Sequence, residues 1–123
     1  MVRFALALAL AVFVLGPAPA DAQRDAHVDA ARRALQLVQA RFEAGQEPVE
    51  EVYTWSIRLV RAQVAYQRAR RRIVLREHIE RMEALAEAVQ EQVEGGVRPA
   101  VDTARCAYYL VEARHWLRAG GGP

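Results

Sequence analysis

Arg41-Phe42-Glu43-Ala44-Gly45-Gln46-Glu47-Pro48-Val49-Glu50-Glu51-Val52 reads as the end of one helix, a tight reversal and the start of another. Glycine accepts the left-handed backbone just past a helix end, and a proline can open the next helix because its missing N–H has no partner to lose there. Fifty-one residues on, Gln92-Val93-Glu94-Gly95-Gly96-Val97-Arg98-Pro99-Ala100-Val101-Asp102-Thr103 carries the same order of glycine, two residues and proline. The sequence therefore places two hairpin turns, at Gly45 and Pro48 and at Gly96 and Pro99.

The same shift aligns much of the surrounding chain. His27 falls on His78, Val38-Gln39 on Val89-Gln90, Glu43 on Glu94, Leu59-Val60 on Leu110-Val111 and Ala62 on Ala113. A repeat of this length marks a duplicated supersecondary unit. The expected fold class is all-α: two tandem helical hairpins in an antiparallel four-helix, coiled-coil-like arrangement. Unit one covers residues 24–69 and unit two 75–118, within a domain of 23–118; the residues 119–123, Ala-Gly-Gly-Gly-Pro, form a helix terminator and an expected disordered tail.

Inside each arm the apolar positions alternate by three and four, the period of a coiled-coil seam. The first arm uses Val28, Ala31, Leu35, Val38 and Phe42, and its copy uses Ile79, Met82, Ala86, Val89 and Val93. The returning arms use Val52, Trp55, Leu59, Ala62, Tyr66, Ala69 and Ile73, and Thr103, Cys106, Leu110, Ala113 and Leu117. One hairpin cannot hide such stripes by itself, so the units are expected to pack on each other or on another chain. Between them, Gln67 to Glu77 contains Arg70-Arg71-Arg72 and neither Gly nor Pro. A bend there closes a bundle; a continuous helix from Pro48 to Glu94 sets the two turns at opposite ends. The bend is the expected arrangement, because it lets all four seams meet.

At the start, Arg3 precedes an unbroken apolar run from Phe4 to Leu15, followed by Gly16, Pro17, Pro19 and the small-residue triads Ala18-Pro19-Ala20 and Ala20-Asp21-Ala22. A run of about a dozen apolar residues is short for a bilayer span. Positive charge, apolar run and small residues in this order predict a signal peptide over residues 1–22, with an uncleaved anchor or a buried N-terminal helix as the alternatives. The expected location is the periplasm or cell envelope, with no transmembrane segment in the mature chain.

Of the 123 residues 53% are hydrophobic, which argues against intrinsic disorder. The 17 basic residues are all Arg and nearly balance 15 acids, with no concentrated basic stripe, so nucleic acid is not an expected partner. Arg70-Arg71-Arg72 reads as a solvated corner, or as a peripheral contact to an anionic envelope surface. The single cysteine, Cys106, is read as a small buried hydrophobe rather than a redox group. His27, His78 and His115 are unpaired at helical metal-site spacings, so no metal or cofactor is expected. Glu80, Glu83, Glu87, Glu91 and Glu94 read as a solvated helix face, and no catalytic constellation is legible. The expected protein is not an enzyme.

Arg41-Phe42-Glu43-Ala44-Gly45, with Glu51-Val52 opening the returning helix, resembles the repeated element of outer-membrane efflux proteins of the TolC family. The likeness covers Ala34 to about Val64, with a diluted copy from Ala88 to about His115, and reaches only the periplasmic α-helical hairpins of that family. Pro48 and Trp55-Ser56 depart from it, and no alternating strand segments accompany it. The resemblance implies a coiled-coil module that packs against its own kind or against helical hairpins of an export assembly. The expected function is that of an exported, non-enzymatic interaction or structural protein of the cell envelope, its partner a protein or a second copy. The alternative is an accessory component of a TolC-like efflux or secretion system.

Overall fold

The structure, a computed structural model, describes residues 20–123. The expected signal peptide lies outside the described residues except for Ala20, Asp21 and Ala22, which begin the first helix. The described residues are all-helical: α1 (Ala20–Glu43), α2 (Val49–Tyr66), a single 3-10 turn (Arg68–Arg70), α3 (Arg71–Glu94) and α4 (Val101–Ala119). No strand occurs among the described residues. None of these helices is long and apolar enough to cross a membrane.

α1 packs along α2 and α4 along α3, while α2 lies against α3 and also reaches α4. α1 and α4 are not packed on one another. The four helices therefore do not close into a ring in which every seam is equally covered. α2 and α3 are central, and α1 and α4 are flanks.

That placement explains which side chains are buried. α2 buries a face far wider than a seam, with Val49, Val52, Ser56, Ile57, Leu59, Val60 and Ala62 inside, because it has neighbours on more than one side. α1 buries only Ala31, Leu35 and Phe42. The main core joins these to Met82, Leu85, Val89, Cys106 and Tyr109. At roughly 1.5–3 kcal/mol for each larger apolar side chain, this burial is the principal stabilising term.

Helix α2 stops at Tyr66, and Gln67 takes φ −141 and ψ 70, which no helix accepts. With neither Gly nor Pro nearby, local sequence does not impose the break. A second core does: Val60 of α2 packs with Val74 and Leu75 of α3, walled by Val64, Trp116 and Leu117. Only a reversal between α2 and α3 brings these residues together. The sharp corner displaces three expected seam residues. Ala69 falls in the 3-10 turn, and Tyr66, Ala69 and Ile73 are exposed. On α4 Thr103 is exposed and its neighbour Asp102 is buried instead. α3 also starts at Arg71, earlier than residue 75, so Arg71 and Arg72 are helical.

Candidate functional site

The two turns have the same backbone. Gly45 and Gly96 sit at φ 75 and 72. Gln46 N–H donates to the Arg41 carbonyl at 2.8 Å and Gly45 N–H to that of Phe42 at 2.9 Å; Val97 and Gly96 repeat the pair on Gln92 and Val93 at 2.8 and 3.1 Å. Each turn is a Schellman motif, which satisfies carbonyls a helix end leaves without partners. Pro48 is the residue before α2 rather than its first residue, and Ala100 separates Pro99 from α4. The carbonyl of Pro48 accepts the Glu51 N–H and that of Pro99 the Asp102 N–H.

Side chains at matching turn positions pair with exchanged polarity. Arg41 binds Glu47 at 2.8 Å, and in the second turn Arg98, at the position of Glu47, binds Gln92, at the position of Arg41. Arg98 also crosses to the first turn, donating to the backbone carbonyls of Phe42 (3.2 Å) and Glu47 (2.8 Å). Both turns thus lie at one end of the molecule and are tied together. Of the family-like residues, Phe42 and Val52 enter the core, Glu51 is half-buried, and Arg41, Glu43, Ala44 and Gly45 are exposed.

Midway along the bundle lies a polar cluster that spacing does not reveal. Ser56 of α2 and His78 of α3 are both fully buried, with Ser56 Oγ 2.7 Å from His78 Nδ1. Arg81 Nε donates to the same Ser56 oxygen at 2.8 Å. Burial, followed by the Arg81 cation, pushes the imidazole down to about 4, so His78 is neutral near pH 7. Ser56 then accepts from Arg81 and donates its O–H to Nδ1, leaving the proton on Nε2, which has no hydrogen-bond partner among the described residues. A serine and histidine at this distance suggest a nucleophile and its base. Here the hydroxyl has no contact with solvent and its lone pair holds a guanidinium, and a base this weak withdraws little proton at neutral pH. The arrangement pins α2 to α3.

Further polar pairs run between helices. Tyr53 of α2 stacks on Tyr109 of α4, centroids 4.0 Å apart, and its hydroxyl bonds Glu112. Arg105 joins the half-exposed Glu50 (3.0 Å) to the buried Asp102 (2.6 Å). Burial pushes the Cys106 thiol up to about 11, the behaviour of a packing residue. Glu80, Glu83, Glu87, Glu91 and Glu94 are all exposed. Among the described residues no three His, Cys, Asp or Glu side chains gather as a metal-ligating set.

Sequence reading missed Ser56, His78 and Arg81 as a group, and Arg98 as the tie between turns. The available signal for Arg98 was its alignment with an acid, Glu47, in an otherwise matching turn. For the buried cluster the only signal was a polar Ser56 beside the seam residue Trp55. No family model matches this sequence, and neither a curated protein nor a solved structure matches it significantly.

Proposed function

We propose that this chain is an exported, non-enzymatic interaction protein of the cell envelope, built from two copies of one helical hairpin. The observation that carries this reading is a set of large apolar side chains left on the outside: Leu37 on α1, Val97 at the second turn, and Val101, Tyr108 and Val111 on α4. The polar side chains that could suggest chemistry are instead consumed in holding helices together. Exposed apolar surface of this kind on a small helical protein supports binding to other helices. The leader-like start supports export.

A second reading, an accessory part of a TolC-like efflux or secretion system, is favoured by the placement of Arg41 to Gly45 at one end, next to Gly96 and Val97. The two turns would then form one contact tip. Photo-crosslinking in living cells from Gln46 and Val97 tests both readings. Capture of helical envelope proteins or of further copies supports the first, and capture of export-channel components the second. Recovery of bulk cytoplasmic proteins alone, with the chain retained in the cytoplasm, removes both.

A further inference from the structure

The internal duplication says what covers the bare flanks. In this chain α2 lies in a groove between α3 and α4, with Tyr53, Ser56, Ile57 and Val60 facing inward. Moving these positions by the repeat length gives Ala104, Ala107, Tyr108 and Val111 of α4, all exposed. Tyr108 and Val111 are 63% and 64% exposed, whereas Ile57 and Val60 are 6% and 1%. The positions of the ridge that unit one buries against unit two are therefore apolar again on unit two, with alanines in place of Tyr53 and Ser56, and are exposed there.

The groove recurs as well. On α3 and α4 the groove walls include His78, Arg81, Cys106, Tyr109, Ala113 and Trp116. Their counterparts His27, Ala30, Trp55, Arg58, Ala62 and Ala65 line an open, largely apolar groove of about 470 Å³ between α1 and α2. Leu37, the counterpart of Ala88, is also on α1 and is 63% exposed. One flank thus carries a vacant copy of the ridge, and the other a vacant copy of the groove. α4 runs in the direction of α2, and α1 in that of α3, so the same antiparallel packing is available.

We infer that α4 of one chain docks in the α1–α2 groove of a second copy, repeating between molecules the contact that α2 makes with α3 and α4 within one. This rests on reading the chain as an interaction protein and names its partner and surface. The contact is heterologous: it uses the ridge of one copy and the groove of the other, leaving the first copy's groove and the second copy's ridge free, so chains join head to tail into a ring or an open series. The turns of successive copies lie on the same side.

The test uses protein expressed from the full sequence and purified in the form in which it accumulates. A ridge variant carries Tyr108→Glu and Val111→Glu, and a groove variant Ala30→Glu and Ala65→Glu; all four positions are exposed, and circular dichroism checks that helicity is kept. In sedimentation velocity the unaltered protein forms dimers and larger species, each variant alone is monomeric, and an equimolar mixture of the two forms a 1:1 dimer through the one intact ridge and the one intact groove. An unaltered protein that stays monomeric at millimolar concentration overturns the inference. So does a groove variant that still dimerises, the sign of α4 meeting α4, or a mixture that stays monomeric. A second measurement is independent of those variants: because Ser56 touches His78, Ala107 of one copy lies beside His27 of the next. Ala107→Cys mixed with His27→Cys forms an interchain disulfide on mild oxidation, and its absence overturns the contact. Envelope crosslinks from the turns report on the functional reading separately, since neither turn belongs to the ridge or the groove.

Discussion

The guanidinium of Arg98 lies 4.0 Å above the ring of Phe42, while the same side chain donates to the carbonyls of Phe42 and Glu47. One residue of the second turn therefore holds the end of α1 and the entry to α2. Hydrogen bonds from a charged donor contribute about 1.5–3 kcal/mol and an exposed cation–π contact about 0.5–1 kcal/mol, partly overlapping here. Arg98→Ala is expected to cost about 2 kcal/mol in urea unfolding with little change in m. Arg98→Lys should recover less than half, because an ammonium cannot bridge two carbonyls while lying flat on a ring. Equal stability of all three proteins would refute the tie.

The turn glycines separate conformational need from composition. Gly45→Ala and Gly96→Ala each force a Cβ into the left-handed region and should cost about 1–2 kcal/mol. Gly95, at φ −79, has no such need. Gly95→Ala should be neutral or stabilise by about 0.4–1 kcal/mol through the unfolded chain. Thermal melts of the three variants decide the point, and a Gly95→Ala as damaging as its neighbour would contradict the turn geometry.

Acid should weaken the fold through His78. Its folded value, about 4, lies below the ordinary 6.5, so the unfolded chain binds the extra proton. The stability from keeping it neutral is complete above about pH 6.5, falls as pH drops toward 4, and changes no further below that. Across that window the loss is on the order of 3 kcal/mol. In His78→Gln the decline between pH 6.5 and 4 should be visibly shallower, measured by urea midpoints. Identical pH slopes would show that His78 does not titrate on unfolding.

The corner between α2 and α3 stands on apolar burial. Leu75→Ala removes a side chain 1% exposed and should cost about 2–5 kcal/mol, loosening the corner enough to speed amide exchange at residues 66–74. Ile73→Ala, nearby but outside the core, should change stability by less than about 0.5 kcal/mol. Similar losses at both positions would mean that Ile73 belongs to a seam after all.

Much of the helical pattern was legible because its causes are local. Periods of three and four mark which faces turn inward, and Ala31, Leu35, Phe42, Val52, Leu59, Met82, Val89, Cys106 and Ala113 are buried as their spacing requires. Tyr66, Ala69, Ile73 and Thr103 were misplaced because period alone does not reveal where a helix stops or which neighbour it faces. The buried Ser56–His78–Arg81 cluster was illegible for the same reason. His78 aligns with the exposed His27, and nothing in either helix says that one histidine will be buried against Ser56 while the other stays exposed beside Tyr66 at the end of α2.

The sequence by itself determined the two reversals: only glycine takes a left-handed residue at Gly45 and Gly96 without penalty, and that requirement is written in single positions. The tertiary structure alone decided the break at Gln67, because no residue there forbids a helix. What ends α2 is the gain from bringing Val60 onto Val74 and Leu75, residues on opposite sides of the corner that meet only once the chain has already turned.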